Sequence, residues 1–107
     1  DMNGKRALDA GCGKGRFARV LREANPGAGI VTLDLAMAML RRVPEGTLPV
    51  CATLTDFPLR EGAFDFVYAT ESLEHAVDIE RAVGELCRVL KPGGRLVLAT
   101  CSLLPEE

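Results

Sequence analysis

Asp9 stands two residues ahead of glycines at 11, 13 and 15 in the stretch LDAGCGKGRFARVL, residues 8–21. Alternate glycines strip every Cβ from one side of a turn, so a ligand can lie against bare backbone while the N–H groups of the following helix face it. Taken alone, such a turn serves equally well as a tight link that lets helix and strand pack. A second acid narrows the choice. Asp34 closes the next apolar stretch, 19 residues past Gly15, the place from which a carboxylate reaches both hydroxyls of a ribose. Asp9 adds a negative charge that favours a ligand with a positive centre.

Two nucleoside ligands meet these requirements. A dinucleotide needs GxGxxG with a small third residue, and here that third position is Arg16, too large for helix and strand to close in that manner. The pattern GxGxG with an acid two residues ahead suits a ligand that lacks a pyrophosphate and carries an amino acid moiety.

The surrounding segments must hold these residues at one edge of a sheet. Residues 5–10 form a short apolar strand ending at the glycines. Phe17, Val20, Leu21 and Ala24 then recur at helical spacing until Asn25-Pro26-Gly27 stops the helix. GIVTLD (29–34) reads as a second strand, AMAMLRRV (36–43) as a short helix, and VCATL (50–54) as a third strand after a break from Pro44 to Pro49. FDFVYATE (64–71) is a fourth strand. Ile79, Ala82, Val83, Leu86, Val89 and Leu90 trace one face of a helix that Asp78 can cap, and KPGG turns the chain into RLVLATC (95–101). Strands this apolar, alternating with amphipathic helices, predict an α/β fold with a parallel sheet covered on both faces.

Composition sets the class. With 107 residues, 48% of them hydrophobic and 26% charged, and a net charge of −2, the chain has the balance of one ordinary soluble domain. Nothing in that balance recruits nucleic acid or an anionic membrane, no apolar run approaches a membrane span, and the expected compartment is the cytoplasm. Lys14, Arg16, Arg19 and Arg22 form a basic stripe on the first helix, expected to be solvated. Cys12, Cys51, Cys87 and Cys101 match no metal-binding spacing and are expected as free thiols. Cys12 reads as a loop filler and the other three as small buried hydrophobes.

Four stretches, LDAGCGKG, VTLDLAMAML, DFPLREGAFDFVYATESLEH and ELCRVLKPGGRLVLAT, occur in the order and spacing of a known family. The chain resembles the class I S-adenosylmethionine-dependent methyltransferases, of the small-molecule and quinone-type branch. The resemblance implies a Rossmann-like doubly wound parallel sheet of strand order 3-2-1-4-5, with S-adenosylmethionine across the ends of strands 1, 2 and 4. That order puts Cys51 and Cys101 on opposite edges, where no disulfide can join them. Carried over by position, Asp9, Gly11, Cys12, Gly13 and Gly15 hold the methionine half of the cofactor, and Asp34 accepts from the ribose hydroxyls. Leu35 and Ala36 lie beside the adenine.

The third strand departs from the family. Thr53 and Leu54 stand where an Asp and a small residue commonly recognise the adenine amino group, and a hydroxyl is a weaker acceptor than a carboxylate. Asp56, three residues on, would point elsewhere. Glu71, with SLEH after it, lies at the family's mouth for the sulfonium methyl group. One of Glu71 and Glu74 is expected to face the cofactor amino group, the other to be solvated. His75, the only histidine, is the catalytic candidate if the acceptor must lose a proton; otherwise it is a structural residue at a strand-to-helix turn.

The implied reaction is methyl transfer to an O, N or C nucleophile of a small molecule, the alternative being a silent cofactor-binding or partner-binding domain. No metal is implied. Relative to the seven-stranded family fold, residues 1–107 are expected to be a truncated core lacking an N-terminal helix and the last two strands, with self-association through the exposed edge of the fifth strand as a secondary expectation.

Overall fold

The computed structural model describes residues 4–11, 16–43, 45–70 and 78–99. In chain order the elements are β1 (Arg6–Ala10), α1 (Arg16–Ala24), β2 (Gly29–Asp34), α2 (Met37–Leu40), β3 (Thr47–Cys51), β4 (Phe64–Thr70), α3 (Ile79–Val89) and β5 (Leu90–Ala99). The five strands form one parallel sheet in the order β3-β2-β1-β4-β5, the order expected.

Side-chain alternation divides the sheet into two faces. Leu8, Ala10, Leu33, Val67 and Ala69 point to one face and pack with Ala82, Leu86 and Val89 of α3. On the other face Ile30 packs with Ala18 and Ala28, and Leu21 closes on them. Asp78 caps α3 as expected, its side chain accepting from the Arg81 N–H at 3.1 Å. Asn25 ends α1, donating from both its backbone N–H and its side-chain amide to the Leu21 carbonyl.

Several local expectations are corrected. β3 covers Thr47–Cys51 rather than 50–54, because it is an edge strand that tolerates Pro49 within it, and because the chain turns away at Thr53. β5 begins at Leu90 rather than Arg95. Leu90 already pairs with Phe64, and a register shift, with Gly93 at φ 82°, carries the KPGG segment along β4 instead of out of the sheet. α2 is one turn, Met37–Leu40, since the chain beyond it tightens into turns in which the Arg42 N–H donates to the Met39 carbonyl.

On α1 the buried face is shifted in phase: Val20 is 60% exposed and Ala18 takes its place in the core. On α3 the expected Ala82, Leu86 and Val89 are buried, while Ile79, at the start of the helix, is exposed. Cys51 and Cys87 are free thiols, as expected, but exposed rather than buried. Cys87 follows Leu86 around the helix and falls outside the 82–86–89 stripe, while Cys51 lies on the edge strand. Of the basic stripe, Arg16 and Arg19 are solvated, whereas Arg22 is half-buried with its guanidinium over Gly46, which has no room for a Cβ. Cys101, and with it the Cys51–Cys101 pair, lies outside the described residues. No helix among the described residues is long and apolar enough to cross a membrane.

Candidate functional site

The order of the sheet reverses between β1 and β4, and in open parallel sheets ligands sit beyond the C-terminal strand ends at such a point. β1 carries Asp9 to that edge, β2 carries Asp34 and β3 ends at Cys51. Gly11, just past β1, has φ 71°, the left-handed region that glycine enters without strain, and its N–H donates to the Leu33 carbonyl at 2.6 Å. The turn is thereby tied to β2 as it leaves the sheet.

Asp9 is only 2% exposed. Strand register sets it opposite Thr32 on one side and Tyr68 on the other, and the Tyr68 ring stacks on Phe17 of α1 with centroids 3.8 Å apart. Neither Asp9 oxygen, nor the hydroxyl of the buried Thr32, has a well-formed hydrogen bond among the described residues. Burial, helped by the negative charge of Asp34, raises the Asp9 carboxyl to about 7. The backbone N–H of Ala18, in the first turn of α1, favours the anion but does not offset that burial. A buried acid this poorly partnered among the described residues, beside Gly11, suits a ligand that brings its own donors or positive charge.

Asp34 is half-buried at the end of β2. Its Oδ1 accepts from the Ala36 N–H at 2.9 Å and its carbonyl from the Ala52 N–H at 3.1 Å. Leu35 is 67% exposed, presenting an apolar side chain beside that carboxylate, and the Cys51 thiol donates to its carbonyl at 3.3 Å. Thr53 and Leu54 divide. Leu54 packs against the α3-side core, while the exposed Thr53 turns its hydroxyl to Thr55, accepting from the Thr55 N–H at 3.3 Å. Thr53 and Asp56 form an isolated antiparallel bridge.

The structure thus brings Asp9, Gly11, Asp34, Leu35, Thr53 and Leu54 to the C-terminal edges of β1, β2 and β3. Cys12, Gly13, Gly15, Glu71, Glu74 and His75 lie outside the described residues. Among the described residues no group of His, Cys, Asp and Glu is arranged to hold a metal ion. Thr32 and Tyr68 were not foreseen as neighbours of Asp9, and only their strand parity with it signals that role. A cavity of about 520 Å³ opens at the opposite end of the sheet, lined by Lys5, Asp65, Lys91 and Arg95 among others. Asp65 there pairs with Lys91 at 3.0 Å.

A family model described as a methyltransferase domain matches residues 8–98. The demethylmenaquinone methyltransferase of Thermus thermophilus is 42% identical over 101 residues, covering 88% of this chain and 46% of that protein. The malonyl-(acyl-carrier protein) O-methyltransferase of Methylococcus capsulatus is 35% identical, covering 89% and 37%. The crystal structure of an S-adenosylmethionine-dependent methyltransferase from Mesorhizobium loti superposes with a TM-score of 0.82 at 32% identity, covering 92% of this chain and 47% of that one. The chain spans under half the length of each. Across that span the sequence alternates glycines at 11, 13 and 15, Asp9 lies next to the last residue of β1, Asp34 ends β2 and the strand order reverses, and the chain belongs to the class I S-adenosylmethionine-dependent methyltransferases.

Proposed function

We propose that this chain is the cofactor-binding core of an enzyme that moves a methyl group from S-adenosylmethionine to an O, N or C nucleophile of a small molecule. The observation that carries the reading is the buried carboxylate of Asp9 beside Gly11, whose oxygens have no well-formed hydrogen bond among the described residues, with Asp34 at the end of the neighbouring strand. When bound, the cofactor supplies a sulfonium methyl group whose S–C bond breaks as the bond to the nucleophile forms, leaving a neutral thioether. Such a displacement needs alignment and exclusion of water more than acid–base help.

In this reading Asp9 and the glycine turn, Gly11, Gly13 and Gly15 with Cys12 between them, seat the amino acid end. Ionised Asp9 accepts hydrogen bonds there and offsets positive charge. Asp34 accepts from the ribose hydroxyls, and Leu35, Thr53 and Leu54 border the adenine. Glu71 assists at the amino group, and His75 takes a proton where the acceptor has one to lose.

One observation favours a second reading, a domain that binds the cofactor without transferring its methyl group: the Thr53 hydroxyl, the side-chain acceptor nearest the expected adenine edge, is already engaged by Thr55. Incubation with methyl-labelled donor and a panel of small phenols, amines and acidic carbon acids separates the two. Label transferred to a panel member supports the enzyme, and calorimetric binding with no transfer supports the silent domain.

A further inference from the structure

Between β3 and β4 the chain runs through residues 52–63 with no regular element beyond the Thr53–Asp56 bridge, and connections of this length are ordinarily mobile unless something holds them. Phe57 is the anchor. Its ring is 3% exposed, packed into the α3-side core, and this burial draws its peptide groups to where both need partners. The Phe57 N–H donates to Glu85 Oε1 at 2.7 Å, and its carbonyl accepts from Arg88 Nη2 at 3.0 Å. Glu85 and Arg88 are joined to each other, Arg88 Nε to Oε2 at 2.8 Å and Nη2 to Oε1 at 2.9 Å. Two charged side chains one turn apart on α3 thus grip a single residue of the loop, with charge-assisted bonds that are shorter and stronger than neutral ones.

We propose that Glu85 and Arg88 are positioning residues for the adenine end of the cofactor site, fixing the Thr53–Asp56 turn through Phe57. The proposal rests on the reading of that turn as the neighbour of adenine. The turn is suspended between two fixed points. On one side the Ala52 N–H is bonded to the carbonyl of Asp34, so the loop leaves from the residue read as the ribose acceptor. On the other, Phe57 directly follows Asp56, whose N–H lies 3.4 Å from the Thr53 carbonyl. The Arg88 carbonyl also accepts from the Gly62 N–H at 2.9 Å, so the same residue steadies the far end of the loop. Any displacement of Phe57 passes into Thr53 and Leu54, although neither Glu85 nor Arg88 is a neighbour of the ligand in this reading.

The test is calorimetric titration with S-adenosylhomocysteine and with S-inosylhomocysteine, which differs only at the purine 6-position. The proteins are wild type, Glu85→Ala, Arg88→Ala, Arg88→Lys and Lys91→Ala. Lys91→Ala removes a surface ion pair distant from the turn. Arg88→Lys keeps the charge but loses the planar fork, and serves if Arg88→Ala does not fold. Wild type is expected to prefer the adenine ligand. In the Glu85 and Arg88 variants, adenosyl affinity should fall about tenfold and inosyl affinity much less, so that the preference collapses. Lys91→Ala should keep it. Variants that keep the wild-type preference, or lose both affinities in parallel, overturn the clamp alone. A wild type that binds both ligands equally overturns the placement of adenine and the clamp with it.

Discussion

The carboxylates of Asp9 and Asp34, on adjacent parallel strands, lie near enough that the charge of Asp34 helps burial raise Asp9 to a pKa of about 7. Burial therefore favours the protonated form of Asp9, while a cationic or donor-rich ligand favours the ionised form.

Stability and affinity should consequently run in opposite directions with pH. Between about pH 4 and pH 7 the folded chain holds a proton on Asp9 that the unfolded chain has released. This contribution to stability is full below pH 4 and lost as pH rises through 7. The difference is on the order of 4 kcal/mol. Thermal melts from pH 5 to 8, compared with Asp9→Asn, should show wild type losing stability relative to the variant as pH rises. Over the same range wild-type affinity for S-adenosylmethionine should increase. A wild type and variant with parallel melts would show that Asp9 titrates normally.

Replacing Asp34 with Ala removes the proposed ribose acceptor. Affinity for S-adenosylhomocysteine should fall by roughly 1.5–3 kcal/mol, the value of a hydrogen bond to a charged group. The same change should bring the Asp9 carboxyl down, since one of the two influences raising it is gone. Calorimetry at pH 7.5 reads the first effect, and unchanged affinity would mean that the ribose lies elsewhere.

Cys51 offers an internal reporter. It pairs in register with Asp34 and its thiol meets the Leu35 carbonyl, so a ligand lying along Asp34 and Leu35 should shield it. Saturating S-adenosylhomocysteine is expected to slow alkylation of Cys51 several-fold while leaving the exposed Cys87 on α3 unaffected. Peptide mass spectrometry after brief alkylation distinguishes the two sites, and equal protection of both would point to general rigidification instead.

The two glycines of KPGG should fail for different reasons. Gly93 has φ 82° with open space around it, so Gly93→Ala should cost about 1–2 kcal/mol of backbone strain and Gly93→Asn less. At Gly94 a Cβ would lie 2.8 Å from the Asp65 carbonyl oxygen and 2.9 Å from that of Lys91. Ala and Asn should both be costly there, about 1–3 kcal/mol or more. Urea denaturation of the four variants gives the comparison.

The parallel sheet was legible because most strands are apolar runs and the helices between them are amphipathic, while the strand order followed from the family resemblance and not from periodicity, the β3–β4 crossover carrying no helix at all. The positions of Asp9, Gly11 and Asp34 at strand ends followed from spacing alone. Strand limits did not, because Pro49 and Lys91–Gly94 read as breaks, while an edge strand accommodates the first and a bulge the second. Burial of Cys51 and Cys87 was misjudged on residue type, where edge position and helix phase decided it. Thr32 and Tyr68 become neighbours of Asp9 only through strand register. Glu85 and Arg88 drew no reading from the sequence, because their partner Phe57 lies 28 and 31 residues away, a contact that no local pattern encodes.

The central claim is that the edge formed by Asp9, Gly11 and Asp34 accepts S-adenosylmethionine and not a dinucleotide. Calorimetric titration of the wild-type protein with S-adenosylmethionine, S-adenosylhomocysteine and NAD tests it most directly. One site for each of the first two and no heat of binding with NAD is the predicted result. Binding of NAD without either of the others would contradict it.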